Sequence, residues 1–159
     1  MTRLVPDQGR GDDQISIRVF QNEGLLEHTR RVVELACRAK SERDRVALAT
    51  AAVLMAGAAV EALIMETAYI HHPILYQDKK FRHAGVPHKF DMLMKGTSAD
   101  CALIWSARTA VSHSEPDHRR SREVGVRIQP NEIRAVLDAT ERVFAAVRRG
   151  RNLDYSAYQ

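Results

Sequence analysis

Apolar residues recur at helical spacing along most of the chain. Leu25, Leu26, Val32, Val33 and Ala36 form one broad stripe, which predicts a helix from about Glu23 to Lys40. Ser41 stands three residues before Asp44, an N-cap spacing, and opens a long second helix to about Ile70. That helix carries Ala51, Ala52, Ala56, Gly57, Ala58, Ala59 and Ala62. Small side chains let a neighbouring backbone come close, so the segment belongs at the centre of a bundle or at a helix-to-helix dimer seam. Gly57 costs about 1 kcal/mol against Ala in a helix, and close packing accounts for its presence.

His71, His72 and Pro73 end this helix. Residues 73–96 read as a polar connector with one short helix from His88 to Lys95, lined by Phe90, Leu93 and Met94 and closed by Gly96. Thr97 or Ser98 caps a helix from Ala99 to Ser112, with Leu103, Ala107 and Val111 on the core face and Ile104 beside it. Glu115, Pro116 and Asp117 break the pattern. Pro130 suits the first turn of a last helix, which runs to about Arg149 on a stripe of Ile133, Val136, Leu137, Thr140, Val143, Phe144 and Val147. Two weakly alternating runs, 15–20 and 121–128, are the only candidates for extended structure. The predicted architecture is an all-α bundle of four to five helices around a long Ala-rich helix. Residues 1–22 form a flexible leader, 23–149 the helical domain and 150–159 a mobile tail.

Composition agrees with one helical domain: 159 residues, 45% hydrophobic and 6% aromatic. Between Arg45 and Glu61 lie fifteen uncharged residues, short of the roughly 20 that a membrane span requires. A buried central helix is therefore expected, with no membrane partner. The first twenty residues hold charges and no apolar core, which predicts a cytoplasmic protein without a secretory signal. Cys37 and Cys101 have no metal-like spacing and read as buried free thiols. His71 with His72, His83 with His88 and His113 with His118 all miss the i,i+4 spacing of helical metal ligands. No metal and no cofactor are expected.

The formal net charge is +4, which permits a polyanionic partner without requiring one. The basic residues cluster as His118-Arg119-Arg120-Ser121-Arg122 and as Arg148-Arg149-Gly150-Arg151. Either run serves as a solvated surface, or Arg119, Arg120 and Arg122 contact the phosphates of a nucleic acid. Glu61 interrupts the uncharged stretch of the long helix. It lies on a solvent-facing strip, or it pairs with a buried Arg such as Arg108, since a buried carboxylate needs a partner.

The sharpest chemical feature is Arg108-Thr109-Ala110-Val111-Ser112-His113. On a continuous helix an offset of five separates the two ends by about 140° and roughly 7.5 Å. A helix ending near Val111 or Ser112 lets His113 swing back towards Arg108. An Arg stabilises a phosphorane charge and a His moves protons near neutral pH. RNA brings its own nucleophile, the 2′-hydroxyl, so this pair suffices for metal-free cleavage when two copies meet. The plain reading is a surface Arg and a His at a helix C-terminus.

An Arg followed after four residues by His, at the end of a helix in an all-α domain with a long Ala/Leu-rich helix, resembles the HEPN superfamily. The resemblance covers about residues 23–149. It implies a metal-independent endoribonuclease acting as a homodimer, with the paired motifs facing one cleft, in a toxin–antitoxin or defence setting with an antitoxin or similar neutralising protein. It assigns proton transfer to His113, phosphate stabilisation to Arg108 and a supporting role to Thr109. Active members usually carry Asn, Asp or His where this chain has Thr109. The alternative implied by the same resemblance is a non-catalytic module that binds a nucleotide, RNA or a protein.

Overall fold

A helix of thirty residues with hardly a charge in its middle has to be covered on most of its surface. The computed structural model, which describes residues 21–112 and 130–150, covers it with other helices. The described residues form α1 (Gln21–Arg38), α2 (Glu42–His71), α3 (Pro73–Gln77), α4 (Lys79–His83), α5 (Val86–Met94), α6 (Ala99–Ser112) and α7 (Pro130–Arg149). No strand occurs among them. Helix α2 is the hub and packs against α1, α3, α5, α6 and α7.

Each long helix begins for a local reason. Ser41 Oγ accepts the Asp44 backbone N–H at 3.0 Å and starts α2. Ser98 Oγ does the same for Cys101 N at 3.0 Å and starts α6. A three-residue connection folds α1 back along α2, and Arg45 closes it by donating to the Ala39 carbonyl at 3.1 Å. Along α2, Ala52, Ala56 and Ala59 are wholly buried, so helix-to-helix approach there is close. The main core joins Val60, Leu63 and Ile64 of α2 to Leu75, Phe81, Leu93, Ile104 and Phe144. A smaller cluster under the α1–α2 turn contains Val33, Ala36, Ala49, Ala52 and Ile133. By length and composition α2 is apolar enough to cross a membrane, and half of its apolar stretch is buried inside this fold.

Several features differ from the reading of the sequence. The connector holds three helices in place of one. Pro73 opens α3, the Asp78 side chain caps α4 by accepting from Lys80 N at 2.8 Å, and Gly85 precedes α5. Leu75 and Phe81, both fully buried, anchor the two five-residue helices, which are too short to show a period. On α6 the core residues are Cys101 and Ile104, whereas Leu103 is 47% exposed, because apolar residues stand on both sides of that helix. The left-handed residue that ends α5 is Lys95, with φ of 54°, and not Gly96. Cys37 is half-buried, with Sγ 3.9 Å from the Pro130 carbonyl, and only Cys101 is fully enclosed. Both extended runs, residues 1–20 of the leader and the tail beyond Gly150 lie outside the described residues, and Gln21 and Asn22, expected in the leader, open α1.

Charged side chains tie the outer faces together. Arg142 on α7 grips Asp100 on α6 through two bonds of 3.0 and 2.8 Å. These hydrogen bonds hold the Asp100 carboxyl below its ordinary range. Arg30 on α1 reaches Glu141 on α7 at 2.7 Å. Burial, aided by nearby Asp91, pushes the Cys101 thiol up to about 12. Alkylation of the folded protein at mildly alkaline pH should therefore modify Cys37 and spare Cys101 until denaturant is added. Equal labelling rates in the folded state would contradict this core.

Candidate functional site

Glu61 is the charge that the interior of α2 cannot hide, and two cations from two other helices meet it. Lys89 of α5 brings Nζ to 3.1 Å from Oε1, and Arg108 of α6 brings Nη1 to 3.3 Å from Oε2. The Lys89 side chain is 7% exposed, that of Arg108 30% and that of Glu61 35%. Lys89 is therefore an interior cation, while Arg108 stands at the rim.

Arg108 is positioned on two further sides. Its guanidinium lies over the Trp105 ring, 5.0 Å from the centroid, one helical turn earlier on α6. Its aliphatic stem crosses α2 at Gly57, one turn before Glu61. A Cβ built on Gly57 would stand 2.5 Å from Arg108 Cδ and 3.3 Å from Cγ, so a methyl group there would displace the arginine stem from its present course. The close packing expected at Gly57 is thus present, and the neighbour that needs it is the Arg108 side chain rather than another backbone.

The contact between Arg108 and Glu61 is a single bond and long for a charge-assisted one, which usually measures 2.7–2.9 Å. A guanidinium has five N–H donors, and among the described residues Glu61 is its one hydrogen-bond acceptor. The local charge sum is +1, from two cations and one carboxylate. A partly open, stacked and under-committed guanidinium with excess positive charge can accept an anion. Its planar fork suits phosphate.

Thr109 follows Arg108 on the exposed side of α6. His113, Arg119, Arg120 and Arg122 lie outside the described residues. Of the residues expected at the site, the structure brings together Arg108 and Glu61. Lys89, Trp105 and Gly57 were not singled out for it from the sequence. Lys89 had a readable signal: it sits between Val86 and Leu93, three and four residues away, on the buried face of α5. Among the described residues no three of His, Cys, Asp and Glu gather as metal ligands would. A cleft of about 570 Å³ lies between α1 and α7, lined by Arg30, Cys37, Arg38, Arg134 and Leu137, and contains none of the motif residues.

No protein-family model, curated protein or solved structure matches this chain.

The shared carboxylate makes a stability prediction. Glu61→Leu leaves Lys89 charged and enclosed without its counter-ion, and should cost about 3–5 kcal/mol. Lys89→Met should cost distinctly less, because Glu61 keeps Arg108 and partial access to water. Urea unfolding of both variants checks the order, and the reverse order would refute the assignment of Lys89 as the dependent partner.

Proposed function

We propose that the chain is a metal-independent, HEPN-type endoribonuclease with Arg108 as its phosphate-binding residue. The observation that carries this reading is the state of Arg108: stacked on Trp105, seated in the Gly57 notch and held by one long bond to Glu61. A residue serving only as a surface ion-pair partner has no need of such a seat.

The reaction follows from the substrate. A base takes the proton of the ribose 2′-hydroxyl, and that oxygen attacks the adjacent phosphorus. The bond from phosphorus to the 5′-oxygen breaks, and an acid protonates the leaving oxygen. The products are a 2′,3′-cyclic phosphate and a 5′-hydroxyl. Arg108 stabilises the charge that builds on the non-bridging oxygens, and His113 transfers protons. One chain has one His at this motif, so two copies supply base and acid. The least covered face of α2 supports pairing: Ala47, Ala51, Leu54 and Ala58 run along it to Glu61, with Leu54 39% exposed. A second copy seated there would bring two Arg108 residues towards one cleft. Arg119, Arg120 and Arg122 would then hold flanking phosphates, and a toxin-type activity would call for a neutralising partner.

The exposed, short side chain of Thr109 favours a second reading, a module that binds RNA or a nucleotide without turnover. The two separate in one experiment. A labelled structured RNA is incubated in EDTA with wild type, His113→Ala and Arg108→Ala, each purified identically. Cleavage by wild type alone, with cyclic-phosphate ends, is the expected result, and loss should reach about 10²-fold or more in either variant. Binding without cleavage by wild type, persisting in His113→Ala, would select the second reading.

A further inference from the structure

The same site holds a residue whose function extends past ion pairing. Glu61 is shared, and its shorter bond, 3.1 Å against 3.3 Å, goes to Lys89. Lys89 is too enclosed to touch a ligand from its position on α5. Its charge nevertheless decides what Arg108 has to offer. With Lys89 in place, one carboxylate faces two cations and the cluster keeps one positive charge. Without Lys89, Glu61 would answer Arg108 alone, the pair would be neutral, and the carboxylate would be free to take the guanidinium in a bidentate grip. An incoming phosphate would then have to break that grip.

We infer that Lys89 is a positioning residue that keeps the Arg108 guanidinium available for phosphate by occupying Glu61. This rests on the reading of Arg108 as a phosphate-binding residue. The ligand class is a phosphodiester or phosphate monoester. Arg108 alone contacts it, and Lys89 acts through Glu61.

The protein carries its own reporter. Trp105 is the single tryptophan of the chain and lies against the Arg108 guanidinium, so its emission responds when an anion binds that group. The probe is a 2′-O-methyl oligoribonucleotide, which cannot be cleaved through the 2′-oxygen. Binding is followed by Trp105 emission and by anisotropy of a labelled probe, in full-length wild type, Arg108→Ala, Lys89→Met and the double variant Glu61→Gln/Lys89→Met. Circular dichroism confirms that each is folded.

Charge counting fixes the ranking. The cluster sums to +1 in wild type, to zero in Lys89→Met and to +1 again in the double variant. Lys89→Met should bind about tenfold more weakly, the order expected for one charge at this range in a partly screened site. The double variant should return to near wild-type affinity although it lacks two of the three groups. A Lys89 that serves packing alone predicts no charge dependence: Lys89→Met and the double variant would then bind alike, because neither restores the lost side chain. Wild-type affinity in Lys89→Met, or a double variant as weak as Lys89→Met, would overturn the inference while leaving Arg108 as the phosphate ligand. Arg108→Ala binding as tightly as wild type would overturn the reading of Arg108 itself, and this inference with it.

Discussion

An ionised carboxylate inside a helix bundle has to be answered, and the arrangement around Glu61 follows from that requirement. Helix α2 is enclosed by five other helices, so its middle admits small and apolar side chains and little else. Of the two half-buried acidic residues beyond its first turn, Glu66 meets Asn22 of α1, and Glu61 draws Lys89 from α5 and Arg108 from α6. Those last two bonds add to the apolar contacts by which α5 and α6 meet α2, and they place two cations beside one half-buried carboxylate. Fold and site are consequences of the same desolvation problem.

The balance of forces at this point is uneven. Lys89 is enclosed with Glu61 as its ion-pair partner, whereas Arg108 retains contact with water and needs Glu61 less. Stacking on Trp105 and the fit against Gly57 compensate for the weak electrostatic hold. A guanidinium fixed by shape more than by charge keeps its orientation while retaining donors that no described residue takes. Preorganisation of this kind lowers the ordering cost of binding an anion.

Much of the helical frame was readable in the chain. The cap at Ser41 and the limits of α6 and α7 followed from local spacing, and spacing left Thr97 and Ser98 as alternatives for the cap of α6, of which the structure uses Ser98. The pairing of Glu61 with Arg108 was one of two readings that the cost of a buried charge left open, and the structure adopts it. What escaped was decided by tertiary contact. Helices α3 and α4 are too short for a periodic signal and exist because Leu75 and Phe81 are drawn into the core. Leu103 and Ile104 are equally apolar neighbours, and only the position of α2 chooses between them. Lys89 reads as a surface residue by type, and its burial is explained by a partner twenty-eight positions away.

The notch at Gly57 has a consequence for descent. A side chain at position 57 would push aside the long one that crosses it from position 108, so the two positions are coupled. A lineage that shortens Arg108 frees position 57 to become Ala, which a helix favours, and an arginine regained after that has to cross the helix by another course. Among relatives of this chain, glycine at this point of the second helix should therefore accompany an arginine held in the present seat.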